Sequence, residues 1–191
     1  MTRIRRALLR DIPGMLSVIN GYAANGIMLP RTEFEMAENI RDFVVAETHE
    51  DDPRPLTLAG CGALHFYTPS SAEIRSLAVR TDRKSEGLGR RIIEALELEA
   101  NEHGLANVFA FTYVPGFFTK LGFEQVDRGE LPLKAWKDCL RCPKFQACDE
   151  IAMLKRYRPD PVRRALNLNV LQAGDLVRLP FPQIPQSGSH S

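Results

Sequence analysis

Short apolar runs alternate along this chain with stretches in which apolar residues recur every three or four positions. The runs predict β-strands, and the periodic stretches predict amphipathic helices. The predicted strands are Ile4–Leu9, Val44–Val45, Leu56–Tyr67, Ala72–Val79, Val108–Thr112, Phe123–Val126 and Ile151–Arg156. Because strands and helices alternate, the pattern predicts an α/β fold with a mixed sheet flanked by helices.

Helix signals fall between the first two predicted strands. Asp11 and Pro13 mark the start of a first helix that reaches about Ala24. Thr32 and Glu35 have the spacing of a capping box and predict a second helix. The apolar positions that follow with helical period are Phe34, Ala37, Ile40 and Phe43. A polar hairpin loop is predicted at residues 49–55.

A third helix is predicted from Leu88 to about His103, directly after the sequence Lys84-x-x-Gly87-x-Gly89. The expected buried positions are Ile92, Ile93, Leu96 and Ala100, and the expected outer positions are Glu94, Leu98, Asn101 and Glu102. The glycine-bearing segment therefore links a strand to the start of a long helix.

Such a loop presents backbone N–H groups at the positive end of the helix dipole, which suits an anion such as a pyrophosphate. Gly87 and Gly89 would let the backbone approach phosphates without a Cβ in the way. Lys84, Arg90 and Arg91 add positive charge nearby. The alternative interpretation is that the glycines only shape the start of the helix.

Composition narrows the class of protein. The 191 residues, 44% of them hydrophobic, are enough for one sizeable core, and a net charge of +1 favours neither nucleic acid nor membrane partners. The N-terminal segment has no apolar signal region, and no apolar run is long enough to span a bilayer. Four cysteines do not suggest a secreted disulfide framework. These features predict a cytoplasmic enzyme.

The proline distribution predicts the domain organisation. Residues 1–157 carry the strand and helix pattern and are expected to form one domain. Residues 158–191 contain Pro161, Pro180, Pro182 and Pro185 and a polar end, which predicts a mobile tail.

The order of these motifs resembles the GNAT superfamily of N-acetyltransferases. Its signature, Arg/Gln-x-x-Gly-x-Gly/Ala after the fourth strand, is matched by the Lys84 motif, with lysine at the first position. Its Lys-x-Gly-Phe run is matched by residues 120–123. Strings such as those at residues 26–31 and 148–153 resemble the short, stand-alone N-acetylglutamate synthases of bacterial arginine biosynthesis. The resemblance covers roughly residues 3–156.

The resemblance implies a single-domain GNAT fold with a mixed, mostly antiparallel sheet. It implies acetyl-CoA as co-substrate and L-glutamate as acceptor, and it leaves homodimerisation open. The residues expected to contact acetyl-CoA are Leu77, Ala78, Val79, Lys84, Ser85, Glu86, Gly87, Leu88, Gly89, Arg90 and Phe117.

Glu73 is the candidate general base. A carboxylate at the head of an apolar strand is costly to bury unless it is used or paired. The alternatives from the residues alone are an exposed strand-end glutamate or one paired with Arg75. In the acetylglutamate synthases the matching glutamate is implicated in deprotonating the acceptor, so the resemblance implies that role here.

Two further catalytic contributions follow from the resemblance. The backbone N–H near Leu77, after a bulge in the strand, would polarise the thioester carbonyl. Many members carry a tyrosine acid where this chain has Phe118, which has no hydroxyl. Thr112 would then assist the departing thiolate, with Tyr113 as the other option, although Thr112 also suits a strand as a plain β-branched residue.

Arg31 is the candidate for holding the acceptor, because the resemblance places it against the amino acid and a guanidinium can bind a carboxylate with two hydrogen bonds. The alternative is a solvated arginine before a helix cap. Glutamate has two carboxylates, so a second cation is expected. The candidates, which the sequence does not rank, are Arg75, Arg141 and Lys144.

The cluster Cys139-x-x-Cys142-x5-Cys148 has two interpretations. Three thiols could bind zinc with Cys61, His65 or Asp149 as a fourth ligand. The spacing is not that of a standard zinc finger, so packed thiols that fix a loop are favoured and no metal is predicted. His65 is likewise expected to be a packed residue.

The sequence therefore predicts an amino-acid N-acetyltransferase of the N-acetylglutamate synthase type, which acts by direct attack in a ternary complex. One alternative is the same chemistry on another acceptor, such as glutamine, another amino acid or a protein amine. The other is a non-catalytic acyl-CoA-binding module, which the missing tyrosine allows and Glu73 disfavours.

Overall fold

A computed structural model of the protein describes residues 2–48, 58–131 and 147–157. Its helices and strands are β1 (Thr2–Arg6), α1 (Ile12–Ala23), α2 (Glu33–Glu38), β2 (Phe43–Thr48), β3 (Leu58–Thr68), β4 (Ser71–Val79), α3 (Leu88–Glu102), β5 (Asn107–Thr112), α4 (Pro115–Thr119), β6 (Glu124–Gln125) and β7 (Ile151–Arg156). Short 3₁₀ turns lie at Leu9–Asp11, Ile40–Asp42, Thr81–Glu86 and Arg128–Glu130.

The described strands form a seven-stranded sheet in the order β1-β2-β3-β4-β5-β7-β6. Neighbouring strands are antiparallel except β4 and β5, which are parallel and are connected through α3. The predicted α/β class, with a mixed and mostly antiparallel sheet, is confirmed.

Strands β4 and β5 pair only at the start of β4. Ser71, Ala72 and Glu73 face Asn107, Val108 and Phe109 across the parallel ladder. Strand β4 then continues to Val79 and β5 to Thr112 without further pairing between them. The two strands separate beyond Glu73, so a gap opens in the middle of the sheet.

A β-bulge interrupts β4 beside this gap. Cys61 on β3 faces Ala78, whereas Ala63 faces Arg75, so two residues of β4 lie opposite the single residue between them on β3. Ser76, in the bulge, has a φ of 53°, which is unusual for a residue with a side chain. A bulge leaves its extra residue outside the regular ladder.

Two apolar layers cover the sheet. Helix α3 packs on one face, with Ile92, Ile93 and Leu96 fully buried against β2, β3 and β4 in a cluster that also includes α4. On the opposite face, α1 and α2 bury a second cluster over β2 and β3. A third cluster, around Phe109, lies on that opposite face over β5 and β7. The positions predicted to be buried in α3 are confirmed, and Leu98 is exposed as expected.

Two sequence-based predictions of secondary structure were wrong. The first strand ends at Arg6 rather than Leu9, because the Asp11 carboxylate accepts a hydrogen bond from the Leu8 backbone N–H and begins a 3₁₀ turn. Helix α2 ends at Glu38, and Phe43 instead starts β2, where it pairs with Ala63.

One packing prediction was wrong, and the predictions for the hairpin loop and the tail are not tested by the described residues. Phe34 is 72% exposed, although its spacing had suggested a core position. The hairpin loop predicted at 49–55 and the tail predicted at 158–191 lie outside the described residues. In the described part of the chain, no helix is both long enough and apolar enough to cross a membrane.

Candidate functional site

Glu73 lies where β4 and β5 separate. Glu73 is only 8% exposed, which excludes the interpretation that it is an exposed glutamate at the end of a strand. The Tyr67 hydroxyl donates a hydrogen bond to Glu73 Oε2 over 3.0 Å. In the sheet, Glu73 has His65 as its neighbour on β3 and Phe109 as its neighbour on β5. These side chains share the face opposite α3, so the carboxylate lies between the two clusters of that face.

A polar network adjoins Glu73 on the same face. His65 Nδ1 lies 2.6 Å from Asp42 Oδ2, at the end of the 3₁₀ turn before β2. Arg75 Nη2 donates to Asn39 Oδ1 over 3.2 Å and lies 3.8 Å from the same oxygen of Asp42. Arg75 therefore connects β4 to the end of α2, and its proposed contact with the acceptor would have to share the guanidinium with these partners.

The bulge at Ser76 and Leu77 is held by the neighbouring strand. A Cβ built on Gly60 would lie 2.7 Å from the backbone oxygen of Ala78. One built on Gly62 would lie 2.8 Å from the Ile92 side chain of α3 and 3.3 Å from the Leu77 side chain. The Cys61 thiol lies 3.9 Å from the backbone oxygen of Ser76. Burial raises the pKa of this thiol to about 12, so it stays protonated and can donate. Gly60 is thus explained by the close approach of the β4 backbone, and Gly62 by the packing of α3 and Leu77 against β3.

Thr112 is buried at the end of β5, on the side of the gap opposite Glu73. Strand alternation places it with Val108 and Ala110 on the α3 face, whereas Glu73 lies on the other face. Its hydroxyl oxygen accepts a hydrogen bond from the Val114 backbone N–H over 3.0 Å. That bond leaves the hydroxyl proton available to a group in the gap.

The loop before α3 turns at Gly87 and leaves backbone N–H groups at the start of the helix. Gly87 has a φ of 70° and is the N-cap of α3, with no side-chain capping bond. The Arg91 N–H donates to Gly87 O, so the N–H groups of residues 88–90 precede the first intrahelical bond. A Cβ on Gly87 would meet nothing within 4 Å, so this glycine is explained by its backbone conformation.

The second glycine has a different role. A Cβ on Gly89 would lie 3.3 Å from the Phe117 ring of α4. Phe117 also packs edge-on against Phe118, which is only 3% exposed in the core. Gly89 thus allows α4 to approach the start of α3, and Phe118 acts as a packing residue.

The charged residues predicted at this loop are not equivalent. Lys84 is exposed, with its Nζ 5.1 Å from the centre of the Tyr22 ring. Arg90 forms an ion pair with Glu94 at 2.7 Å on the outer side of α3. Arg91 donates to the backbone oxygen of Thr2. Ser85 and Glu86 are exposed, and Glu86 pairs with Arg83. Of the predicted cations, Lys84 is therefore best placed to meet a ligand at this loop.

Arg31 lies on the segment between α1 and α2. The Asn20 side chain accepts from the Arg31 backbone N–H over 2.9 Å and donates to its backbone oxygen over 3.0 Å. The capping box predicted at Thr32 and Glu35 is present directly after it. Arg31 is thus fixed by its backbone at the start of α2, and its side chain is half-buried.

Several predicted residues lie outside the described residues, namely Arg141, Lys144, Cys139 and Cys142. Cys61 lies fully buried in the core, and Cys148 is half-buried, with its thiol 4.0 Å from Glu150 Oε2. Within the described ranges, no group of three or more His, Cys, Asp or Glu side chains is arranged to hold a metal ion.

The candidate site has three further residues that were not identified from the sequence: Tyr22, Tyr67 and Asp42. Tyr22 donates from its hydroxyl to the Val79 backbone oxygen over 2.6 Å and so connects α1 to the end of β4. A signal for Tyr67 was present, because the predicted strands Leu56–Tyr67 and Ala72–Val79 are close in sequence and form a hairpin that places the end of β3 near Glu73.

Comparison with known proteins identifies the domain type. The model of the acetyltransferase (GNAT) domain matches residues 39–125. An uncharacterized N-acetyltransferase of Chlorobaculum tepidum is 42% identical over 81% of this chain and 96% of its own length. An amino-acid acetyltransferase of Mycobacterium tuberculosis is 32% identical over 65% of this chain and 69% of its own length.

One solved structure is informative about ligands. The N-acetylglutamate synthase of Neisseria gonorrhoeae, complexed with coenzyme A and N-acetyl-glutamate, matches with a TM-score of 0.72 and 26% identity. The match covers 83% of this chain and 36% of the other, so the present chain spans about a third of the length of that synthase.

Proposed function

Because this chain belongs to the GNAT family of acetyltransferases, we propose that it transfers the acetyl group of acetyl-CoA to the α-amine of L-glutamate. The observation that carries the proposal is the buried carboxylate of Glu73 at the point where β4 and β5 separate. Amino-acid acetyltransferases and an N-acetylglutamate synthase among the similar proteins support the choice of acceptor.

The proposed cofactor site follows the gap between β4 and β5. The loop around Gly87 would hold the pyrophosphate through the backbone N–H groups that start α3, with Lys84 adding charge. The extended part of the cofactor would lie between β4 and β5 where they have separated. The backbone groups of these two strands do not pair with each other there. This arrangement brings the thioester towards the bulge at Ser76.

The proposed reaction is a direct attack of the acceptor amine on the thioester. Glu73 would take a proton from the ammonium group, and the backbone N–H near Leu77 would stabilise the oxyanion. Thr112 lies on the opposite face and would donate to the departing thiolate. Glu73 and Thr112 lie on different faces of the sheet. The amine and the departing thiol would therefore lie on opposite sides of the carbonyl carbon.

The experiment is a steady-state assay of thiol release with a panel of acceptors. The panel contains L-glutamate, L-glutamine, L-aspartate, a polyamine and the analogue of glutamate that lacks its α-carboxylate. We expect L-glutamate to have the highest kcat/KM. Equal use of the decarboxylated analogue would exclude amino-acid acetylation, and a preference for glutamine would change the acceptor.

The variant Arg31→Ala tests how the acceptor is held. We expect the KM for glutamate to rise about 10- to 100-fold, as for the loss of a charge-assisted contact of roughly 1.5–3 kcal/mol, with the KM for acetyl-CoA unchanged. Arg31→Lys should restore only part of the loss, because an ammonium cannot make two in-plane bonds. Arg3→Ala, at an exposed position on β1, is the control.

A further inference from the structure

The proposed reaction releases a proton that must leave the site. A protonated amine and a thioester give an amide, a thiol and one proton, so each turnover sends one proton to solvent. Glu73 is the proposed first acceptor, and it is only 8% exposed. A buried carboxylate that has taken up a proton cannot serve again until it passes the proton on. The site therefore requires a route from Glu73 to solvent.

His65 is positioned to provide that route. It lies directly across the antiparallel ladder from Glu73, and side chains in such a pair have Cβ atoms about 5 Å apart on the same face. Its side chain is 22% exposed, so it is closer to solvent than Glu73. Its ring lies nearly perpendicular to that of Tyr67, with ring centres 5.1 Å apart, and the Tyr67 hydroxyl donates to Glu73.

Asp42 fixes the orientation of the His65 ring. The short contact of 2.6 Å joins His65 Nδ1 to Asp42 Oδ2, and a carboxylate can only accept, so Nδ1 carries the hydrogen. In the neutral ring Nε2 is then the basic atom. The Asp42 charge also stabilises the imidazolium that forms when Nε2 takes a proton.

The charged and titratable groups around His65 come from three elements. Asp42 belongs to the 3₁₀ turn before β2, Tyr67 to β3, and Glu73 and Arg75 to β4. Arg75 Nη2 lies 3.8 Å from the same Asp42 oxygen that contacts His65, so the carboxylate is shared between the imidazole and the guanidinium.

We propose that His65, oriented by Asp42, relays the proton from Glu73 to solvent; this rests on the proposed acetyl transfer. The ammonium N–H bond breaks as the Glu73 O–H bond forms, and the nitrogen keeps the electron pair with which it attacks the thioester. After the C–N bond forms, the C–S bond breaks, and a second proton from the nitrogen passes to the departing thiolate, which gives the neutral amide and the thiol. The Glu73 O–H bond then breaks as an N–H bond forms at His65 Nε2, directly or through one water. Imidazolium finally gives the proton to water or buffer, which restores both groups.

The test uses the full chain, acetyl-CoA and the amino acid that the wild type acetylates best. His65→Gln should lower kcat at least tenfold, less than the 10²- to 10⁴-fold typical of a group that touches the substrate, with the KM for acetyl-CoA unchanged. Added imidazole should restore part of kcat, because a small base can carry the proton in place of the side chain. Asp42→Asn should lower kcat by a smaller factor.

His103→Gln is the matched control, because this histidine caps the C-terminal end of α3 against Phe66, away from the site. It should leave kcat unchanged. Two results would overturn the relay: a His65→Gln kcat within about twofold of wild type, or a lowered kcat that imidazole does not raise. If the wild-type protein acetylates no amino acid, the proposed function and the relay are both excluded. If the wild-type protein is active and His65→Gln has the same kcat, only the relay is excluded.

Discussion

At the scale of single residues, the chemistry depends on how one carboxylate is surrounded. Glu73 is buried, yet Tyr67 donates to it and His65 lies beside it across the ladder. A buried carboxylate that has hydrogen-bond donors can remain ionised, and this is the state a base requires. The hairpin of β3 and β4 thus brings to Glu73 one side chain that donates to it, Tyr67, and one that lies beside it, His65.

The first prediction concerns Glu73→Gln, which keeps the shape of the side chain and removes its basicity. We expect kcat to fall about 10²-fold or more, the usual effect of losing positioned proton transfer, while acetyl-CoA binds as before. Steady-state kinetics and calorimetry measure the two effects. Glu94→Gln, on the outer side of α3, is the control. A near-normal kcat in a folded Glu73→Gln protein would exclude Glu73 as the base.

At the scale of elements, strong local signals were sufficient for several predictions. The last strand, Ile151–Arg156, has the predicted bounds, and α1, α3 and the capping box at Thr32 are also confirmed. The bulge at Ser76 and the brief pairing of β4 with β5 could not be predicted in detail, because both depend on register between distant strands.

The site residues could likewise be predicted only where a local motif marks them. Glu73 and Gly87 stand in local motifs and could be selected from the sequence, although their functional roles stay predictions. Asp42 has no motif around it and reaches the site through the pairing of β2 with β3, whereas Tyr67 is placed by the hairpin of β3 and β4. His65 was predicted to be a packed residue, and its contact with Asp42 shows that it also takes part in a polar network.

The second prediction tests the loop before α3 with two matched variants. Gly87→Asn and Gly87→Asp have side chains of similar size, and both tolerate the left-handed backbone at this position better than most residues. They differ by one negative charge at the proposed pyrophosphate site. We expect Gly87→Asp to bind acetyl-CoA about 10- to 100-fold more weakly than Gly87→Asn by calorimetry. The difference should shrink as salt is added. Equal affinities would remove the pyrophosphate site from this loop.

At the scale of the molecule, a buried ionic network ties the edge of the sheet to the turn before α1. Arg5 on β1 donates to Asp11 at 2.6 Å and to Glu47 on β2 at 3.0 Å. Burial alone would raise the pKa of Asp11, but the hydrogen bonds from Arg5 and from the Leu8 backbone outweigh it and lower the pKa. Removing one partner of such a network leaves a buried charge without compensation.

The third prediction follows from the sign of that shift. Because the pKa of Asp11 is lower in the folded state than in the unfolded state, its ionised form stabilises the fold above the ordinary carboxyl pKa, and this contribution is lost as pH falls through the folded value. Asp11→Asn should reduce the free energy of unfolding by about 2–4 kcal/mol near neutral pH. The difference should diminish as pH falls below the ordinary carboxyl pKa and through the lower pKa of the folded state.

Urea unfolding at several pH values measures this difference. Asp82→Asn is the control, because Asp82 pairs with Arg80 on the surface and its loss should have little effect on unfolding. A deficit in Asp11→Asn that stays constant from neutral pH to below the folded pKa would show that packing, rather than ionisation, is responsible.

The short pairing between β4 and β5 has a consequence for how the protein opens. Strands β1–β4 and strands β5–β7 share a ladder of only three residue pairs, so in solution they are joined mainly by the apolar cluster beneath α3 and α4. Each half can fluctuate with partial independence, and the amides that border the gap have the least protection from exchange with water. A ligand that lies in the gap acts as a missing strand and makes the two halves unfold as one cooperative unit.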